Sequence, residues 1–139
     1  ESVTIFEKIV YRNYQSWALA LPGYAAHALG RLDQAGQCFC RALRMASDVR
    51  ALLSLLYTLP GVAWFLADRG QVERAVAVYA LAARYPFVAN SRWFEDVAGV
   101  DVAAAAETLP PEVVRAAQER GRAADAWVMA EELLEELAG

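Results

Sequence analysis

The chain has one histidine, His27, one lysine, Lys8, against twelve arginines, and two cysteines among its 139 residues. With one histidine, a hydrolase triad, a zinc site or a histidine general base would each have to use His27. No Gly-x-Ser-x-Gly elbow supplies a nucleophile. Cys38 and Cys40 stand two apart in a stretch of helical spacing, so they point to different faces and neither bridge easily nor hold a metal jointly. They read as small core residues in a reducing, cytoplasmic setting. No run of about 18 apolar residues is free of charge or helix breakers, and no secretory signal is present, so neither membrane spanning nor secretion is supported. Gly99 and Gly121 are isolated and build no phosphate-cradling loop. Period-two runs of β-branched residues are also missing, so no strand is expected.

What is present is apolar and helical. Hydrophobic residues make up 58% and charged residues 22%, the composition of a folded chain, and abundant alanine suits close helix packing. The length allows one domain with a real core or a short run of repeats. A net charge of −4 without a basic stripe argues against direct nucleic-acid binding. The start at Glu1, without methionine and already helix-like, suggests a fragment of a longer repeat protein.

Three stretches share one pattern, a glycine, four residues, then an alanine: Gly30 to Ala35, Gly70 to Ala75 and Gly121 to Ala126. Phe39, Tyr79 or Ala130 follows four residues later, and Ala42, Ala82 or Leu133 three beyond that. The pattern predicts stacked helix pairs, which argues against an enzyme. The expected layout is a single helical-repeat domain over 1–139. It comprises the end of a truncated repeat (1–14), a first repeat (15–46), a second (48–86), an insertion (87–109) and a C-terminal capping repeat (110–139). Gly30 and Gly70 end helices, the first as a left-handed cap. Ser47-Asp48 are expected to cap a long helix over 49–69, and its partner covers 72–85. In the insertion, Asn90-Ser91 cap a short helix, Gly99 interrupts it, and Asp101 caps Val102–Thr108. Pro111 opens the next helix, which Gly121 breaks. Pro22 and Pro60, each in a Leu-Pro-Gly setting, fall in stretches whose flanks stay helical in period, favouring kinks over breaks.

These residues resemble the tetratricopeptide repeat, an antiparallel helix pair with small residues at the crossing and a glycine at the turn. Gly23 and Ala26 would be close-packing positions in the first unit, Ala63 and Leu66 in the second, Val114 and Ala117 in the third. Glycine spacing is 40 residues between Gly30 and Gly70 and 51 between Gly70 and Gly121, against a usual period of about 34. Longer helices of this kind are similar to the repeats of bacterial signal-transduction ATPases with numerous domains, the maltose-regulon-activator type. Tyr85–Phe94, Leu109–Pro111 and Ala123–Leu137 look like their C-terminal end. The resemblance implies an all-α, right-handed solenoid. It also implies a sensor or scaffold role beside a nucleotide-binding switch.

The same resemblance places the first helices of successive repeats along a concave groove. Trp17, Tyr24, His27, Tyr57 and Trp64 would line it, as binding rather than catalytic residues. Trp17 matches Tyr57 and Tyr24 matches Trp64, and a spacing of seven keeps each pair on one helix face. Such rings suit peptide or small-ligand recognition, but long helices with wide buried faces favour the alternative that they are core, packing neighbouring units together. Trp93 and Phe94 either staple the insertion or dock a partner. The acidic face of Glu131–Leu137 either caps the array or meets a basic partner. Adjacent carboxylates such as Glu95-Asp96 diverge on a helix and make poor acid–base partners. The expected function is therefore recognition of a protein or peptide partner, or of a small-molecule inducer, with no cofactor or metal. Assembly of an oligomeric parent chain, with no ligand of its own, is the alternative, and an enzyme built on His27 is a distant third.

Overall fold

One turn geometry recurs three times and sets the framework. The structure, a computed structural model, describes residues 20–138. Its first helix, α1, occupies residues 20–28 as far as it is described, and α2 is Leu32–Val49, α3 Leu52–Asp68 and α4 Val72–Ala82. After α1, Gly30 takes φ +78°, and the Arg31 N–H reaches back to the Ala26 carbonyl at 2.8 Å. After α2, Arg50 takes φ +53°, and the Ala51 N–H reaches the Ala46 carbonyl at 3.0 Å. After α3, Gly70 takes φ +83°, and the Gln71 N–H reaches the Leu66 carbonyl at 2.9 Å. These are six-to-one bonds across a left-handed residue, which satisfy carbonyls that a helix end leaves bare. Each next helix then begins with the same bond, from Ala35 to Arg31, Leu55 to Ala51 and Ala75 to Gln71, all at 3.0 Å. Every participant lies 20 residues from its counterpart, as positions 30, 50 and 70 show.

The expected Ser47-Asp48 cap is therefore corrected. α2 runs through both residues to Val49, and the break falls at Arg50, whose left-handed backbone does what glycine does at 30 and 70. The helix expected over 72–85 ends at Ala82. Pro60 does lie inside α3, and Pro22 is helical.

After α4 the chain forms α5, Pro86–Ala89, with proline in its first turn, then a longer run opened by Ser91. The Ser91 hydroxyl accepts the Phe94 N–H at 3.3 Å. That run comprises α6, Arg92–Phe94, a π-helical turn Glu95–Gly99, and α7, Val100–Ala106. Gly99 does not interrupt it, and Asp101 caps nothing. The chain stays helical at Gly99, with φ −58°, and absorbs one extra residue as a π-turn. Pro111 opens α8, Pro111–Ala123, as expected. Gly121 does not break α8 but lies buried within it, and the break comes at extended Ala124. Asp125 then caps α9, Ala126–Ala138, its Oδ1 accepting the N–H groups of Trp127 and Val128 at 2.9 and 3.0 Å. Every regular element among the described residues is helical.

The described chain divides into two compact units. One holds residues up to Thr58 together with those from Ala130, and the other is Leu59–Met129. In the first, Phe39, Leu43, Leu55 and Leu133 are fully buried. Gly23 lies under the Phe39 ring, where a β-carbon would come within 2.8 Å of ring Cε1. The small-residue position expected at 23 is thus filled by the aromatic expected at 39. In the second unit α4 is buried on most of its circumference, and α7 and α8 both pack on it. Alanines at 75, 77, 80 and 82 keep that helix slim enough for two neighbours.

Candidate functional site

Of the five residues expected to line a groove, Trp17 lies outside the described residues. Tyr24 is 4% exposed, and its hydroxyl donates to the Tyr57 carbonyl at 2.6 Å. Its ring stands edge-on to Phe39 at 5.2 Å and to Tyr57 at 5.8 Å. Pro60, three residues further along α3, has no N–H to offer the Leu56 carbonyl. Next to Tyr57, the Thr58 hydroxyl donates to the Ser54 carbonyl at 2.8 Å. Tyr57 and His27 are buried as well, and Trp64, in the second unit, is half-buried. Tyr24 and Tyr57 are therefore brought together as a core pair, with the Tyr24 hydroxyl used inside the fold.

Among the described residues, the large exposed aromatics lie instead on the segment expected to be an insertion. Phe87 on α5 is 43% exposed and Trp93 on α6 is 42% exposed. Both stand edge-on to the buried ring of Phe94, at 5.7 and 5.1 Å. The local sequence explains the arrangement. Extended Tyr85 precedes Pro86, which starts α5, and the Ser91 cap fixes where α6 begins. Phe94 consequently points inward as the anchor, and Trp93, one residue earlier, points out. Phe87 carries no spacing signal of its own, since it precedes a proline-led turn and not a periodic helix.

A second constellation lies beneath the π-turn. A β-carbon on Gly99 would meet Glu95 Oε2 at 2.5 Å and the Tyr79 hydroxyl at 2.6 Å, so both polar groups converge on one glycine. Burial first, and the Glu95 carboxylate second, push the Tyr79 phenol up from 10.0 to about 12. A neutral phenol at that point can donate a hydrogen bond but cannot act as a base near neutrality. Among the described residues no three His, Cys, Asp or Glu side chains are grouped to hold a metal ion. No described helix is long and apolar enough to cross a membrane.

No family model matches the chain, no curated protein matches it, and no solved structure matches it. The described residues form an all-helical fold in which the large exposed aromatic rings, Phe87 and Trp93, sit on α5 and α6.

Proposed function

We propose that the chain is a non-catalytic recognition module, the sensor or scaffold segment of a larger bacterial signalling ATPase or transcription regulator acting in the cytoplasm. Its helices form antiparallel pairs in a right-handed, tetratricopeptide-like array. The partner is a protein or peptide, or a small-molecule inducer, and binding shifts the parent between resting and active states by favouring one of them. The observation that carries this reading is the threefold recurrence of one helix connection at 30, 50 and 70, with identical backbone bonding. A fixed period of helix and turn is what stacked repeats require. Such arrays present surface rather than a catalytic cavity.

Tyr24, His27 and Tyr57 are buried, Trp64 is half-buried and Trp17 lies outside the described residues, so the two tryptophans carry the test of the expected groove. An unbiased screen of peptides and small molecules against the chain, read by tryptophan fluorescence, is expected to find a saturable ligand. Trp17→Ala and Trp64→Ala variants that keep their fold and bind unchanged would remove the groove from the reading. Assembly is favoured as the second reading by Leu29 and Leu53, which are 69% and 54% exposed. A strictly monomeric chain in sedimentation would count against it.

A further inference from the structure

We infer that Phe87, Trp93 and the carboxylates beside them form a docking surface for a cationic, apolar segment of a partner protein. The proposal rests on the recognition reading and names the surface and the chemistry of the partner. Phe87 and Trp93 are the large exposed aromatics among the described residues, at 43% and 42%. Each packs edge-on against buried Phe94, which restricts its rotamers and lowers the side-chain freedom lost when something covers it. Helix arithmetic supplies the charge. A regular helix brings the residue seven positions on to the same face, but the π-turn Glu95–Gly99 adds one residue to the count. Asp101 rather than Val100 therefore falls in line with Trp93, and Asp96, three residues on, lies beside it. Both aspartates are exposed. Along α6 to α7 the exposed charges are Arg92 against Glu95, Asp96 and Asp101.

An apolar aromatic pair edged by carboxylates complements a segment in which arginine or lysine alternates with apolar side chains. The cation gains from the indole face as well as from the aspartates. A second copy of this chain is a poor occupant, because each copy carries a net charge of −4.

The probe is a synthetic peptide alternating lysine with leucine, set against its glutamate–leucine counterpart and followed by calorimetry on the intact chain. The lysine peptide is expected to bind and the glutamate peptide not to. Trp93→Ala combined with Phe87→Ser should weaken binding about tenfold or more, the loss expected for rigid aromatic anchors. Asp96→Asn with Asp101→Asn should weaken it about threefold to tenfold and flatten its salt dependence. Glu131→Gln with Glu135→Gln, on the acidic face of α9, should leave it unchanged. Unfolding midpoints establish that each variant is folded, and the aspartate pair tests the surface even if the aromatic pair is unstable. The proposal is overturned if the glutamate peptide binds equally, if both surface variants bind like the parent, or if the α9 variant loses as much. Failure of the lysine peptide to bind also overturns it, whereas the recognition reading then stands or falls on the unbiased screen.

Discussion

The α-carbon of Gly121 lies directly against the backbone of Ala77, so that a β-carbon at position 121 would overlap the Ala77 carbonyl oxygen. This is where α8 crosses α4, and the obstruction is main chain on both sides, which cannot swing away as a side-chain tip would. Gly121→Ala gains about 1 kcal/mol of helix propensity and loses more than that by forcing the helices apart. Overpacked cores typically lose about 1–3 kcal/mol, and here the upper end is expected. Urea unfolding should show a clear drop in midpoint. A variant as stable as the parent would mean that α8 does not seat on α4 in this way.

The three left-handed turn residues make a reciprocal pair of predictions. A residue with a β-carbon costs roughly 1–2 kcal/mol in this conformation, and glycine avoids that cost. Gly70→Ala, which meets no neighbouring atom within 4 Å, should therefore destabilise by about 1 kcal/mol through backbone strain alone. Arg50→Gly should shift the thermal midpoint upward, because Arg50 holds φ +53° in the same turn. If both substitutions move stability in the same direction, the equivalence of positions 50 and 70 is lost.

These glycines and Arg50 also mark how far the sequence could be read. Gly30 and Gly70 were legible as helix ends because an isolated glycine after a periodic stretch has one common use. Gly99 and Gly121 carry the same letter but serve close approach, to Tyr79 and Glu95 and to Ala77 respectively, and nothing local distinguishes that use. The Arg50 turn was hidden for the opposite reason, since a non-glycine residue in a left-handed cap leaves no signal. The Phe39 position was legible from its spacing and is filled as expected, against Gly23. Spacing also placed Tyr24 and Tyr57 on helix faces, but periodicity does not say which face the core takes. Burial of 4% and 8% exposure answers that for these two rings. Of the exposed pair, Trp93 was legible as a stapling or docking residue behind the Asn90-Ser91 cap, whereas Phe87 sits on a proline-led turn and carries no spacing signal.

Tyr24→Phe removes only the hydroxyl that donates to Tyr57 at 2.6 Å and keeps both edge-on ring contacts. A buried carbonyl then loses a donor, which costs about 1–3 kcal/mol. Chemical denaturation should show the loss with an unchanged slope, because the same surface is exposed on unfolding. Tyr24→Leu should cost more, since the ring contacts go too.

Alkaline stability reports the constellation at the π-turn. Tyr79 keeps its proton in the folded chain until about pH 12, while in the unfolded chain it gives it up near 10.0. Between those values the unfolded state binds fewer protons, so stability falls as pH rises. The contribution is fully present below the unfolded value and is lost as pH climbs through the folded one. Tyr79→Phe cannot ionise, so the stability of the parent relative to this variant should be constant at neutral pH and decline across that alkaline window. Glu95→Gln should retain most of the decline, because burial is the larger cause of the shift and the carboxylate the smaller. The check is a set of unfolding curves for the three chains at stepped pH. A parent and a Tyr79→Phe variant that fall in parallel from about pH 9 to 12 would show that the Tyr79 phenol is open to water rather than held against Gly99.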